Sequence, residues 1–331
     1  MPIPSGALRF NSDSGKLEYY NGEVWWQIDN FSADNATGGA RGVFGGGFNA
    51  GVTVNTINFI TISSTGNAID FGDLVTARYG LGACSSSTRG LFTAGRTDPG
   101  ATRHNTIEFV TISSTGNAQD FGDLNNLSAI PGGCSNSTRG IFAGGYNPTL
   151  LNVIEYVTIS ATGNAVDFGD LTSGLFGLGG LSSNTRGVFG GGNAPGFVNT
   201  IDFITISTLG NAADFGDLTQ ARRAGGGGCS NSIRGIFGGG CTPSIVNTID
   251  FITISSIGNA TDFGDLTQSR NALAACSSSS RGVFGGGSPG PAYSNIIDYV
   301  TILTQGNAID FGDLLSPTEA PVACSNAHGG L

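Results

Sequence analysis

Apolar residues recur in short runs along the chain, and the most regular of these runs predicts a buried β-strand. In residues 249–254 (Ile-Asp-Phe-Ile-Thr-Ile) and their five counterparts, β-branched and aromatic residues occupy both faces of an extended segment. A strand with water on one side would alternate apolar and polar residues more cleanly. The pattern therefore favours small sheets that are covered on both faces by neighbouring sheets.

Two phrases divide the chain into six similar units. Gly-Asn-Ala-x-Asp-Phe-Gly-Asp-Leu recurs every 47 to 50 residues, starting at Gly66, Gly116, Gly163, Gly210, Gly258 and Gly306. Arg-Gly-(Val/Leu/Ile)-Phe starts at Arg41, Arg89, Arg139, Arg186, Arg234 and Arg281. Units of this length without helix-length apolar stripes are typical of β-propellers rather than of helical solenoids.

Each unit predicts four short strands, here called a, b, c and d. In the last full unit they are residues 272–276, 282–286, 296–302 and 308–314. The predicted fold is all-β, a six-bladed propeller of four-stranded blades over residues 41–331.

The chain ends predict how the ring closes. Residues 320–326 match the strand a segments of other units, but no strand b follows them. The first unit begins with strand b at Arg41 and has only a weak strand a candidate, around residues 33–36. We therefore expect the C-terminal strand to complete the first blade and remove its open edge.

Three features resemble kelch repeats. They are the double glycine after strand b (Gly45-Gly46), the strand c aromatic (Phe251, Tyr299) and an arginine before strand a (Arg78, Arg222, Arg270). The strand d tryptophan usual in kelch repeats is replaced by Phe71, Phe121, Phe168, Phe215, Phe263 and Phe311. The resemblance implies a kelch-like fold and says little about activity, since propellers host many functions.

Residues 1–40 do not repeat. Residues 8–11, 14–22 and 24–28 predict three short strands that bury little by themselves. The aromatic residues of this segment, Tyr19, Tyr20, Trp25 and Trp26, predict an attachment or oligomerisation module whose partner is the propeller, another copy of the chain or a larger assembly.

The sequence of residues 8–26 resembles short β modules of bacteriophage tail fibres. The nonapeptide repeats, Gly-Asn-Ala-x-Asp-Phe-Gly-Asp-Leu, are similar to those of phage structural proteins. This resemblance implies a virion protein, made in the host cytoplasm, that binds other virion proteins through residues 1–40.

Charge and hydropathy exclude several classes of partner. The net charge is −10 and every cation except Lys16 is an arginine, which argues against binding nucleic acid. No run approaches the roughly 20 apolar residues that span a bilayer, so membrane insertion is not expected. The first residues also lack the pattern of a signal peptide.

The twelve aspartates of the nonapeptides raise the hypothesis of calcium binding. If the nonapeptide has an extended backbone, Asp262 and Asp265 project to opposite faces of the strand, which argues against their binding one ion together. We favour a structural role, in which one aspartate accepts from turn amides and the other pairs with the recurring arginine, for example Arg281.

The cysteines and histidines do not form a recognisable catalytic or metal site. Cys84, Cys134, Cys229, Cys276 and Cys324 share one strand a position, which Leu181 fills in the remaining unit. We expect free, mostly buried thiols there and a reactive thiol at Cys241 in a loop. His104 and His328 are expected at the surface, outside any catalytic pattern. We expect no enzyme activity, cofactor or metal.

The loops between strands b and c and between strands d and a should lie on one face of the ring, and they contain most of the variation between units. Exposed aromatics on a rigid ring suit the recognition of a sugar or a protein partner. The candidate binding residues are Phe48, Tyr79, Arg96, Tyr146, Phe176, Phe197 and Tyr293. A drift of unconstrained loops would give the same variation.

Three functions remain open. The first is a tail-fibre or appendage adhesin that binds a host glycan or protein. The second is a purely structural subunit that decorates a capsid or stacks into an appendage. The third is a kelch-like carbohydrate-active enzyme, which would require a metal or an acid pair in the axial pocket.

Overall fold

The chain folds into a ring of six antiparallel β-sheets, and a separate three-stranded sheet precedes the ring. A computed structural model describes residues 3–4, 6–11, 16–28, 40–98, 102–225 and 227–331. These residues contain strands and turns but no helix. Each blade contains the strand order a-b-c-d, as the repeat predicts.

Strand a is innermost and strand d outermost. The a strands are Gly82–Ser85, Gly132–Ser135, Gly179–Ser182, Gly228–Ser230, Ala274–Ser277 and Val322–Ser325. The b strands are Arg41–Gly45, Arg89–Thr93, Arg139–Ala143, Arg186–Gly190, Arg234–Gly238 and Arg281–Gly285. The c strands are Thr56–Thr61, Thr102–Thr111, Val153–Thr158, Thr200–Thr205, Thr248–Thr253 and Ile296–Thr301. The d strands are Ile69–Asp73, Gln119–Ser128, Val166–Asp170, Ala213–Asp217, Thr261–Asp265 and Ile309–Asp313. We number the blades 1 to 6 by their b strands.

The predicted closure is confirmed. Strand Val322–Ser325 pairs antiparallel with Arg41–Gly45, placing Cys324 opposite Val43. Blade 1 therefore takes strand a from the C-terminal end and strands b, c and d from the first unit. Its weak strand a candidate around residues 33–36 lies outside the described residues.

Each blade contains an aromatic pair, one ring from strand c and one from strand d, beneath an arginine. In blade 5 the rings of Phe251 and Phe263 meet edge to face with centroids 6.0 Å apart, and the guanidinium of Arg234 lies 4.4 Å from the Phe251 centroid. Arg234 also donates a 3.0 Å hydrogen bond to the carbonyl of Ile302 in blade 6. All six blades repeat these contacts, so each recurring arginine joins its own blade to the next.

This finding corrects the role predicted for Arg281. Its guanidinium lies over Tyr299 and bonds the carbonyl of Ile62, so the proposed pairing with a nonapeptide aspartate was wrong. The planar, delocalised guanidinium suits an aromatic face and a carbonyl at once.

The nonapeptide forms a latch between neighbouring blades at the rim. Gly306 and Ala308 donate backbone hydrogen bonds to the carbonyls of Phe263 and Asp265, at 2.9 and 2.8 Å. The amide of Asp265 donates to the side-chain oxygen of Asn307, at 3.1 Å. The same three bonds recur at every blade boundary.

Gly264 shows why this latch requires glycine. Its φ is +145°, and a Cβ there would lie 2.5 Å from the carbonyl oxygen of Gly306 in the next blade. A bulge also interrupts the pairing of strands c and d beside this position. The bulge breaks the two-residue alternation on which the expectation for Asp262 and Asp265 rested.

The predicted N-terminal strands are confirmed as Leu8–Asn11, Lys16–Tyr20 and Trp25–Ile28. They form an antiparallel sheet with the middle strand between the other two. The described part of the chain contains no helix with the length and apolar character that a membrane crossing requires.

Candidate functional site

Twelve loop residues meet in pairs around one mouth of the ring. In each blade, the residue that follows the glycines after strand b forms an isolated backbone bridge with a residue just before strand a. The six pairs are Phe48 with Glu319, Arg96 with Tyr79, Tyr146 with Ala129, Asn193 with Phe176, Cys241 with Arg223 and Ser288 with Asn271. The same backbone arrangement therefore presents a different pair of side chains in every blade. We call these twelve residues the variable mouth.

Buried ion pairs anchor half of the variable mouth. Arg270 is fully buried, and its guanidinium lies 2.6 Å from the carboxylate of Asp298, while the next residue is the mouth residue Asn271. Arg78 with Glu108 and Arg222 with Asp250 repeat the pair at 2.7 and 2.9 Å. Burial lowers the pKa of these arginines and the facing carboxylate opposes that shift. Each pair thus fixes the loop residue that follows its arginine.

The remaining blades lack an arginine at this position. In blade 4 Leu175 replaces it, while Asp202 stays buried and accepts hydrogen bonds from Thr172 at 2.8 and 3.0 Å. In blade 3 Ser128 replaces it and Glu155 is buried. Desolvation raises the pKa of both Asp202 and Glu155, because no facing guanidinium compensates for burial.

The variable mouth opens into a cavity of about 480 Å³ on the ring axis. Its lining includes five of the predicted residues, namely Phe48, Tyr79, Arg96, Tyr146 and Phe176. Tyr293 is not in the lining but packs edge-on against Phe48 with centroids 6.0 Å apart. Phe197 lies in the second strand of a short b–c hairpin, Asn193–Ala194 with Gly196–Phe197, and is not among the lining residues.

Aromatic rings cover the lining from blade 1 to blade 4. The ring centroids of Phe48 and Tyr79 are 5.2 Å apart, and those of Tyr146 and Phe176 are 5.8 Å apart. Both pairs are tilted rather than stacked flat, so part of each ring stays free. Tyr146 is 37% exposed.

Three arginines also line this cavity, and only Arg96 was predicted. Its guanidinium lies 4.6 Å from the Tyr79 centroid and 3.9 Å from Asp98, and its Nε contacts the Tyr79 hydroxyl. Arg103 lies 5.0 Å from the Tyr146 centroid, and Arg223 is half-buried. A signal for both missed residues was present, since neither belongs to an arginine position that recurs between the units.

Blade 2 places Arg103 by extending its strands. Strands c and d are ten residues long there, Thr102–Thr111 and Gln119–Ser128, whereas strand c of blade 5 has six. The added residues pair with the short strand Arg96–Thr97, which sets Arg103 opposite Arg96. Burial and the acceptor Asp98 raise the pKa of Tyr79, so its hydroxyl is held as a donor.

Both histidines differ from the prediction of surface positions. His104 is half-buried beside Thr97, with its Nε2 2.8 Å from the threonine hydroxyl. Burial lowers the pKa of His104, and the charge of Arg78 lowers it further. His328 lies at the opposite end of the ring axis, with its Nε2 3.0 Å from the carbonyl of Ser85 and 3.2 Å from the hydroxyl of Ser135.

A ring of serines closes the axis around His328. Each hydroxyl donates to the carbonyl of the equivalent serine in the preceding blade, at 2.6 to 2.7 Å. The serines are Ser85, Ser135, Ser182, Ser230, Ser277 and Ser325. The cavity at this end measures only about 50 Å³. The two ends of the axis therefore differ, one narrow and uniform, the other wide and varied.

The five cysteines of strand a are free and buried, as predicted. Each packs where a neighbouring b strand has glycine, and a Cβ on Gly42 would lie 2.6 Å from the sulfur of Cys276. Cys241 is free and half-buried. No group of three or more His, Cys, Asp or Glu side chains able to hold a metal ion occurs within the described residues.

The predicted attachment residues lie on the N-terminal sheet. Tyr20 and Trp25 pack with centroids 5.2 Å apart, and Arg9 lies 4.2 Å from the Trp25 centroid. Tyr19 is 39% exposed. The side chain of Trp26 lies outside what the structure describes.

Comparison with protein-family models and with curated proteins finds no match to this chain. The kelch-like and virion resemblances of the sequence therefore remain predictions, while the six-bladed propeller is established by the structure itself.

Proposed function

We propose that this chain is a non-enzymatic virion protein, a tail-fibre or appendage adhesin that binds a host-surface glycan in the variable mouth. The observation that carries the proposal is the set of six backbone bridges. They hold twelve side chains in equivalent places, yet the side chains differ from blade to blade. A rigid frame with varied side chains is the arrangement that recognition surfaces use.

The size and lining of the cavity support a saccharide. At about 480 Å³ the cavity falls within the usual range of small-molecule sites, which is roughly 300 to 1,000 Å³. Free faces of Tyr146 and Phe176 offer the apolar surface on which the C–H face of a sugar ring packs. The polar groups beside them supply hydrogen-bond donors for the sugar oxygens.

Two carboxylates belong to the described lining of the mouth. Asp98 accepts a 2.8 Å hydrogen bond from the Tyr79 hydroxyl and faces Arg96. Glu319 is the other carboxylate among the described lining residues. Hydrolysis of a glycosidic bond uses two carboxyl groups that flank the bond, and we propose that Asp98 and Glu319 instead position a sugar.

The N-terminal sheet supports a place in a larger particle. Leu8 and Val24 are 60% and 54% exposed, and Tyr19 adds to this apolar surface. Exposed apolar residues on so small a sheet favour a partner, which we propose is another virion protein or a second copy of the chain.

A glycan array probed with the purified protein tests the proposal. We expect a defined set of oligosaccharides to bind, and Tyr146→Ala with Phe176→Ala to weaken binding at least about tenfold, the loss of one to two good aromatic contacts. Phe197→Ala is the matched control on the same face and should leave binding unchanged.

Two results would contradict the proposal. One is an array without a bound glycan, which would favour a purely structural subunit. The other is the release of sugar products from a bound glycan, which would favour the carbohydrate-active enzyme.

A further inference from the structure

The arginines of this chain separate into those with a structural partner and those at the mouth. Of the 14 lysine and arginine residues, 13 are arginines and the other is Lys16. Six join neighbouring blades, three form the buried ion pairs, and Arg9 pairs with Glu18 at 2.7 Å. The three that remain are Arg96, Arg103 and Arg223, and all three line the cavity of about 480 Å³.

Two of these arginines flank the aromatic pair of Tyr146 and Phe176. Arg103 lies over the Tyr146 ring, whose centroid is 5.8 Å from that of Phe176. The stem of Arg223 lies against Gly177, the residue after Phe176, since a Cβ on Gly177 would be 2.5 Å from the Cγ of Arg223. Along the mouth the order is therefore arginine, aromatic ring, aromatic ring, arginine.

The guanidinium groups of Arg103 and Arg223 have N–H groups free to bind an anion. Arg103 lies over the Tyr146 ring and forms no ion pair or side-chain hydrogen bond with any residue that the structure describes. Arg223 forms no ion pair or side-chain hydrogen bond with any residue that the structure describes. Arg96 differs, because Asp98 and Tyr79 already engage it. In a chain of net charge −10, an anion would meet unpaired positive charge chiefly here.

We infer that the oligosaccharide received by the variable mouth is acidic, that its sugar rings pack on Tyr146 and Phe176, and that carboxylates on the two sides of this aromatic pair are bound by Arg103 and Arg223. The inference rests on the proposed function, since it names the chemical class of that glycan. A guanidinium presents two parallel N–H groups that match the two oxygens of a carboxylate. Glu319 on the far part of the lining disfavours a ligand with negative charge along its whole length.

Paired ligands test the charge directly. The probe is an array of uronic-acid oligosaccharides in which each member is matched by its methyl-esterified form, followed by calorimetry on the strongest pair. We expect the acidic member to bind at least about tenfold more tightly than its ester, the effect of one charge-assisted hydrogen bond. Added salt should reduce this preference.

Variants locate the charge. Arg103→Gln and Arg223→Gln should each reduce the preference for the acidic member, and the double variant should remove most of it. Arg223→Lys should retain only part of the contribution of Arg223, because lysine lacks the two parallel N–H groups of a guanidinium. Arg9→Gln removes one positive charge outside the ring and should leave the preference intact. Thermal unfolding of each variant confirms that the ring is folded.

The outcomes separate the two proposals. If neutral sugars or esters bind as tightly as acids and still require Tyr146 and Phe176, the mouth binds glycans but the acidic preference is wrong. If the acidic preference survives in Arg103→Gln and Arg223→Gln, the assignment of these residues is wrong. If neither acidic nor neutral sugars bind, the proposed function itself fails.

Discussion

Single residues repeat in this chain because each makes one contact that every blade needs. Arg234 and its equivalents bond the next blade, Gly264 and its equivalents admit a neighbouring carbonyl, and Ser230 and its equivalents close the axis. The buried pair of Arg270 and Asp298 recurs only in some blades. Where the arginine is missing, the carboxylate remains, and this difference provides an internal comparison.

The unpaired carboxylate of blade 4 should cost stability. Because burial raises the folded-state pKa of Asp202 above its ordinary value of 3.8, the ionised form is disfavoured in the fold. Asp202→Asn should therefore raise the free energy of unfolding at pH 7. The gain should shrink as the pH falls through the raised pKa and vanish below about 3.8, where the carboxyl is protonated in both states. Chemical denaturation at several pH values measures it.

In blade 6 the buried carboxylate has a facing arginine, and removing that arginine should destabilise the fold. Arg270→Leu copies the arrangement of Leu175 and leaves Asp298 buried without its cation, so the free energy of unfolding should fall by about 3–5 kcal/mol at pH 7. Asp250→Asn, which removes the partner of Arg222, should also destabilise. If Asp202→Asn and Asp250→Asn lowered the free energy of unfolding by the same amount, a facing arginine would make no difference to the stability of the buried carboxylate.

At the scale of elements, the repeats predicted strands well and loops poorly. Strand c of the last unit was predicted at residues 296–302 and is Ile296–Thr301, because a run apolar on both faces has one natural place in a blade. The extension of blade 2 to Thr102 and the short b–c hairpins depend on tertiary pairing that local pattern does not encode. Arg103 and Arg223 stand out in the sequence as arginines that do not recur between the units, but local pattern does not show that their side chains reach the axis.

The C-terminal strand Val322–Ser325, which completes blade 1, should control the integrity of the ring. Deleting residues 319–331 removes strand a of blade 1 and leaves strand Arg41–Gly45 with an unpaired edge. We expect loss of most of the unfolding free energy, on the order of 5 kcal/mol or more, together with aggregation. Thermal unfolding and size-exclusion chromatography measure both.

A chain lacking only Gly330 and Leu331 retains strand Val322–Ser325 and should stay folded and monodisperse. An intact, cooperative transition after the longer deletion would show that the ring closes without this strand.

For the whole molecule, six-fold regularity predicted the ring, and the differences between units predicted which face would vary. The contents of the axis were harder to predict. His328 reaches Ser85 and Ser135 only because the C-terminal residues follow the last strand a into the centre of the ring. The cavity under the variable mouth likewise exists only once all six blades are assembled.

Thiol labelling should report on the ring as one cooperative unit. The strand a cysteines are buried, and burial raises the pKa of Cys324 to about 12, so they should not react in the native state. Iodoacetamide should modify Cys241 alone in native protein and all six cysteines in denaturant, counted by mass spectrometry. Partial native labelling of Cys84 or Cys276 would indicate that single blades open independently.

The latch at the rim has a consequence for how the gene could be cut and rejoined. The boundary between blades 6 and 1 uses the same three bonds as the other boundaries, with Gly66, Asn67 and Ala68 engaging Phe311 and Asp313. At the outer rim, the boundary between blades 6 and 1 is therefore bonded in the same way as the other five boundaries. New termini placed between any two blades should give a permuted protein with the same circular surface, and the varied loops could be exchanged between blades as cassettes.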